Sequence, residues 1–288
     1  MSRLKLIADS GATKTAWMLL GEGKERSFKT AGISPYLMNK EQIQQLLIKE
    51  LPKKIQHKKN LEIYHYGTGC KTISKANIVS KALSSVFPDA KVHVTHDLMG
   101  AVYATCNGKP GIACILGTGS NSCYFNGKKI VFNSPGLGYV LGDEASGAYF
   151  GKMLVQHFLY KKFDAALEKA FEKEFHLDRD AILHHVYKEP FPNRFLASFA
   201  KFLTAHRGHY IIENIIEDGL RDFFGTHLIA YKEAIHVPIH FVGSIAFHFK
   251  DKIAELCDMY GFQLGHVLKD PIEGLTKYHQ KNRGSKKK

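Results

Sequence analysis

The chain has 288 residues and a mass of 32.4 kDa, a length that suits about two domains, and 44% of its residues are hydrophobic, enough for a core. It carries 40 Lys and Arg against 27 Asp and Glu, a net charge of +13 that raises nucleic acid or a membrane surface as partners. Neither fits: no apolar run approaches the roughly 18 residues of a membrane span, and no helix-turn-helix, zinc-finger or RNP-like aromatic pattern occurs. Asp9 interrupts the opening apolar stretch, so no signal peptide is expected and the protein reads as cytoplasmic. Five cysteines without a CxxC pair indicate neither a disulfide framework nor a structural zinc site. Five of the positive charges lie in 281–288 (Lys281, Arg283, Lys286, Lys287, Lys288), a tail without apolar residues that is expected to be disordered.

In chain order, Leu4 to Ala8 reads as a strand running into Asp9–Thr15, and Ala16 to Leu20 resumes strand character, which makes a hairpin. Glu41 to Ile55 has helical spacing, Leu61 to Tyr66 alternates as a strand, Ile78 to Phe87 is helical, and Lys91 to Thr95 is a strand ending at His96-Asp97. The opening pattern then recurs: Gly111 to Leu116 enters Gly117–Asn121, followed by strands Cys123 to Phe125 and Ile130 to Phe132 across an Asn126-Gly127 turn. Helical stretches follow at Gly142 to Phe163, Phe195 to Leu203 and Tyr210 to Phe224, with apolar stripes that read as core. A last strand Val237 to Val242 ends in Gly243-Ser244. A helix at Lys250 to Tyr260, a strand at Gln263 to Val267 and a final helix opened by Pro271 complete an α/β pattern.

Phosphate recognition needs a backbone that approaches closely and points its N–H groups inward, which glycine permits. Two turns qualify: Gly11 with Thr13 and Lys14, and Gly117, Thr118 and Gly119. Each ends an apolar strand and precedes another, so a duplicated half could clamp a polyphosphate from both sides. No GxxxxGK[ST] occurs, and the GxG pairs at Gly67/Gly69 and Gly117/Gly119 meet Thr72 and Ser122 where a dinucleotide fingerprint needs its third glycine. A P-loop ATPase or a Rossmann dehydrogenase is therefore not expected.

Among the acids, Asp9 stands beside the first turn, where a carboxylate could hold Mg²⁺ or merely form the turn. Asp97 begins a helix, so it can be an N-cap or a general base that accepts a proton from an attacking hydroxyl. The segment Gly136–Gly147 holds four glycines and the adjacent acids Asp143 and Glu144, and reads as a polar ligand loop. Those carboxylates could accept hydrogen bonds from sugar hydroxyls, although a helix start also favours acids.

Asp9–Thr15, Thr95–Asp97, Leu116–Asn121, Gly136–Gly147 and Val242–Ser244, in this order, resemble the BadF/BadG/BcrA/BcrD ATPase family, especially its N-acetylglucosamine kinase branch. The resemblance implies an α/β fold with two actin-like (ribonuclease H-like) domains around a nucleotide cleft. It places an N-terminal domain at 1–107 and a C-terminal domain at 108–288, with a helical insert at about 142–235 and a final helix packing back on the N-terminal domain. It implies ATP and Mg²⁺ as cofactors, with Asp9 as the metal ligand and Asp97 as the catalytic base. Gly11, Ala12, Thr13, Lys14, Gly117, Thr118, Gly119 and Ser120 would cradle phosphates, and Gly243, Ser244 and Gly274 would border the adenosine. Ser34, Asn121, Gly136, Gly138, Asp143 and Glu144 would face the sugar.

Three positions depart from the branch's pattern. Ile33-Ser34-Pro35-Tyr36 replaces a loop that commonly holds Asn, Pro135-Gly136-Leu137-Gly138 replaces a Gly-Gly-Trp-Gly type segment, and Ala145 stands where Gly usually follows Asp-Glu. The expected activity is ATP-dependent phosphorylation of an amino sugar, N-acetylglucosamine or N-acetylmuramic acid. The expected partner is that small molecule, with no nucleic acid and no membrane, and the chain could pair as a homodimer. The alternatives are an ATPase activator of a 2-hydroxyacyl-CoA dehydratase, which needs cysteines for an iron–sulfur cluster, and a non-catalytic nucleotide or sugar sensor.

Overall fold

The computed structural model describes residues 4–21 and 25–281; most of the basic tail, 282–288, lies outside the described residues. The chain divides into two compact units, Pro110–Lys269 forming one and the segments on either side of it the other. The first unit opens with strands β1 (Leu4–Ser10), β2 (Lys14–Leu20) and β3 (Arg26–Ala31), then helices α1 (Lys40–Glu50) and α2 (Lys53–Gln56). Strand β4 (Leu61–Gly67), helix α3 (Ile73–Val86), strand β5 (Lys91–His96) and helix α4 (Asp97–Thr105) follow. β1 lies at the centre of a five-stranded sheet of order β3-β2-β1-β4-β5, antiparallel to β2 and parallel to β4. Strand alternation places Leu6 and Ala8 in the core with Trp17, Ile63, Ile43 of α1 and Val79 of α3. Asp9 alternates with Ile7 onto the opposite face.

The second unit repeats the arrangement. Strands β6 (Pro110–Leu116), β7 (Ser120–Asn126) and β8 (Ile130–Asn133) are followed by helices α5 (Gly138–Leu141), α6 (Gly147–Leu159), α7 (Ala165–Phe175), α8 (Arg179–Tyr187), α9 (Pro192–Ser198), α10 (Ala200–Ala205) and α11 (Tyr210–Phe223). A π-helical turn, Phe224–Leu228, extends α11 before strand β9 (Ile239–Val242), helices α12 (Ser244–His248) and α13 (Lys250–Tyr260), and strand β10 (Leu264–Leu268). The sheet order, β10-β9-β6-β7-β8, is that of the first sheet with β6 in the place of β1. The chain then returns to the first unit as α14 (Ile272–Lys281). α14 crosses α4 so closely that a Cβ on Gly274 would stand 2.4 Å from the Ala104 carbonyl oxygen.

Several boundaries differ from the sequence expectation for identifiable reasons. The helix expected over Glu41 to Ile55 breaks at Pro52, which has no N–H to give, so α1 ends at Glu50. α3 begins earlier, at Ile73, because Thr72 caps it by accepting from the Lys75 N–H. The helix expected from Gly142 starts at Gly147, because Asp143 and Ala145 adopt positive φ (57° and 55°). Strand β3, whose one large apolar residue is Phe28, and helices α7 and α8, capped by Asp164 and Asp178, are additional elements.

Candidate active site

In the first unit, β1 and β2 are joined by a turn in which the Gly11 N–H donates to the Lys14 carbonyl at 2.9 Å. Below it, the Ser10 and Thr15 hydroxyls are 2.8 Å apart and buried, Ser10 Oγ accepts from the Ile33 N–H at 3.1 Å, and Thr15 Oγ1 donates to the Ala31 carbonyl at 3.1 Å. Gly32 closes the turn: its N–H donates to the Thr13 carbonyl at 3.0 Å, and a Cβ there would come within 2.4 Å of Gly11 O and 2.5 Å of Ala12 O. The turn at Gly11–Lys14 is thereby locked to the loop that carries the buried Ser34. Neither Gly11 nor Gly117 nor Gly119 has positive φ, so these glycines are not there for left-handed backbone. A Cβ on Gly117 would meet nothing within 4 Å, so that position instead leaves backbone accessible.

Asp9, partly buried at the end of β1, has its carboxyl pushed up to about 7. Burial is the main cause; the charges of Asp97 and Asp270 add to it and Lys14 opposes it. Asp97 is the first residue of α4, one position inside the N-cap His96, and its Oδ1 accepts from the Leu98 N–H at 2.9 Å. Its carboxyl is raised by burial, against the Leu98 bond and a side-chain bond from Thr68. Lys14 donates to Asp270 Oδ1 at 2.6 Å, so the lysine of the first turn is tied to the segment returning from the second unit. The donor set suits a hard cation that keeps waters and phosphate oxygens as ligands: an electrostatically coupled group of carboxylates, in which Asp9 is raised by burial and by its acidic neighbours, a cost that a bound cation would relieve. Among the described residues no three His, Cys, Asp or Glu side chains form a complete protein cage for a metal.

In the second unit, the turn after β6 and the acidic loop form a single structure. The Gly117 N–H donates to Gly119 O at 3.0 Å, and the carbonyls of Gly117 and Thr118 accept from the Gly147 and Ala148 N–H groups at the start of α6, at 2.7 and 3.1 Å. The Asp143 carboxylate accepts from the Ser120 N–H, and a Cβ on Gly119 would stand 2.9 Å from Asp143 Oδ2. Burial raises the Asp143 carboxyl, and the Glu144 charge adds to this. Gly243, at φ 121°, brings the end of β9 to the same place: a Cβ there would lie 2.1 Å from Leu116 O. Ser244 follows it as the first residue of α12.

Asn121 is held by a neighbour that motif reading missed. Asn133 Nδ2 donates to Asn121 Oδ1 at 2.9 Å and to the Ser122 carbonyl at 2.6 Å, and the Ser122 N–H also donates to Asn121 Oδ1. With its oxygen doubly engaged, Asn121 has its amide N–H groups to offer a ligand. Gly136 lies over Asn121, with a built Cβ 3.7 Å from Nδ2, and Gly138 adopts φ 75° with open space around it. Glu144 Oε2 is paired with His227 Nε2 at 2.9 Å.

Within the first unit the structure thus brings together Asp9, Gly11–Lys14, Ser34 and Asp97, and within the second Gly117–Asn121, Gly136, Asp143, Glu144 and Gly243-Ser244. Gly274 serves the crossing of α14 on α4. Thr68, Asp270, Asn133, Gly32 and His227 were not singled out from sequence; each acts through a partner distant in the chain, which leaves no local signature. All five cysteines are buried and outside any disulfide, and burial pushes the thiols of Cys70, Cys106 and Cys257 up to about 12, 11 and 12, unfavourable for the thiolates an iron–sulfur cluster needs. Among the described residues no helix is long and apolar enough to cross a membrane.

No family model matches the chain. It is 39% identical to a proposed N-acetylglucosamine kinase of Porphyromonas gingivalis whose crystal structure it matches with a TM-score of 0.91, over 96% of this chain and 99% of that one. An N-acetylmuramic acid/N-acetylglucosamine kinase of Clostridium acetobutylicum is 25% identical over 192 residues, 63% of this chain and 62% of the relative, so the match spans less than two thirds of that protein. A ROK family glucokinase from Streptomyces griseus, solved with glucose and AMPPNP, shares the fold at 14% identity and a TM-score of 0.58, over 98% of this chain and all of that one (100%). With a full-length match of this closeness the chain belongs to the N-acetylglucosamine kinase-like family, and its two sheets of one topology give it an actin-like fold.

Proposed function

We propose that the protein is a cytoplasmic, ATP- and Mg²⁺-dependent kinase that phosphorylates a hydroxyl of an amino sugar, N-acetylglucosamine or N-acetylmuramic acid. The observation that carries this reading is Asp97, a carboxylate raised by burial, fixed by Leu98 and Thr68, and electrostatically coupled to Asp9. A raised carboxyl is a better proton acceptor than a solvated one. As the sugar oxygen forms its bond to the γ-phosphorus and the bond to the ADP oxygen breaks, the hydroxyl proton passes to Asp97. Asp9 would hold Mg²⁺, which when bound neutralises charge on the transferring phosphates. The turns at Gly11–Lys14 and Gly117–Ser120 offer backbone to the phosphates, and Ser34, Asn121, Gly136, Gly138, Asp143 and Glu144 orient the sugar. The names of the Porphyromonas and Clostridium relatives support the amino sugar as substrate class.

The test is ADP release by purified protein across hexoses, hexosamines and N-acylated hexosamines. Release should depend on an N-acylated hexosamine. Asp97→Asn should lower kcat by at least about a hundredfold, the range of general-base loss, with ATP affinity retained. Unchanged turnover in that variant would remove Asp97 from the role.

A further inference from the structure

The π-helical turn Phe224–Leu228 directs Phe224, His227 and Leu228 inward, and π turns are uncommon and concentrate at functional sites. The His227 side chain is 3% exposed and its ring stacks on Phe223 at 4.7 Å between centroids. Its Nδ1 is buried with no hydrogen-bond partner among the described residues, while Nε2 lies 2.9 Å from Glu144 Oε2. Nε2–H is therefore the donor, and the bond to Glu144 is the one polar return on burying the imidazole. A phenylalanine would fill this apolar setting without stranding a nitrogen.

Glu144 sits between Asp143 and Ala145, both in left-handed backbone that non-glycine residues adopt at a cost. The loop needs external restraint to stay in that form. The Gly147 and Ala148 bonds to the second turn restrain its far end, and His227 restrains Glu144 itself.

We propose that His227 is a positioning residue: by its Nε2–H bond it fixes Glu144 and the strained acidic loop in the form that receives the sugar. This rests on the sugar kinase reading for its kinetic consequence. With Oε2 committed to His227, Glu144 presents its other oxygen to a sugar hydroxyl.

The test compares full-length His227→Phe, which keeps the stacked ring but removes the donor, with His227→Gln, which can still donate. In His227→Phe the sugar KM should rise about tenfold, the scale of a lost charge-assisted hydrogen bond, while the ATP KM stays within about twofold. Amide exchange of residues 144–148 without ligand should quicken, and His227→Gln should recover most of both effects. Unchanged sugar KM and unchanged exchange in a folded His227→Phe would overturn the proposal, as would equal rises in both KM values with no recovery in His227→Gln. Should His227→Phe not fold, wild-type exchange and sugar KM in His227→Gln would support the proposal, and a rise in both there would overturn it. If the wild type phosphorylates no sugar, the kinase reading fails, and faster loop exchange in His227→Phe, restored in His227→Gln, still supports the restraint by His227.

Discussion

Asp9→Asn should stabilise the protein in the absence of metal, and only at high pH. The carboxyl is about 3.8 in an unfolded chain and about 7 here, so between those values the folded protein holds a proton that the unfolded chain has released. Stability from this group is full below pH 4, falls as pH rises through that interval, and above pH 7 the whole cost of the buried charge is present. Three units correspond to about 4 kcal/mol at 1.36 kcal/mol per unit. Sharing the repulsion with Asp97 and Asp270, and partial exposure, leave about 2 kcal/mol for removal of this charge alone. At about 2–4 °C per kcal/mol, Asp9→Asn should melt roughly 5 °C above wild type at pH 8 and within about a degree of it at pH 4. Trp17, the single tryptophan, is fully buried in the same unit, so its emission reads the relevant transition. Added Mg²⁺ should raise the wild-type midpoint at pH 8 and leave Asp9→Asn unmoved. Equal or lower melting of the variant at both pH values would refute the reasoning, because the carboxylate would then be favourably solvated.

Three further outcomes follow from local geometry. Gly243→Ala adds a Cβ 2.1 Å from the Leu116 carbonyl at φ 121° and should cost about 3 kcal/mol or more in urea unfolding, a clash combined with a forbidden backbone. Ala145→Gly relieves φ 55° but deletes a fully buried core methyl, so the two effects offset and the net change should stay within about 1 kcal/mol; a loss above about 2 kcal/mol would mean that the left-handed backbone costs this residue little. Tyr231→Phe removes a hydroxyl that bonds Ser122 Oγ at 2.7 Å and accepts from the Ser134 N–H at 3.1 Å, both buried, and should cost about 1–3 kcal/mol in the same assay.

The sheets were legible because their central strands, Leu4–Ser10 and Pro110–Leu116, are apolar runs that stop at polar glycine turns. The acids at strand and helix ends, Asp9 and Asp97, stood out for the same reason. β3 was hidden because this edge strand turns only one large apolar residue, Phe28, to the core, too few for an alternation to be read. The glycine argument identified the turns but misjudged their geometry: of the three left-handed positions in Gly136–Gly147, only Gly138 is a glycine, and the other two belong to Asp143 and Ala145, residue types that do not announce them. Partners such as Asp270 for Lys14, Ile33 for Ser10 and His227 for Glu144 are set by tertiary packing and carry no mark in either local sequence.

The return of α14 orders the events of synthesis. Residues 110–269 form a contiguous unit whose contacts are all available once that stretch has emerged from the ribosome. The first unit, although its strands are made earlier, waits for residues 270–281 to supply the Gly274 crossing, the Asp270 partner of Lys14 and the His279 ring that meets the Tyr66 hydroxyl at 2.8 Å. The half that carries Asp9 and Asp97 is therefore begun first and completed last, so a nascent chain brings these two carboxylates into their final setting only after the second unit has been made.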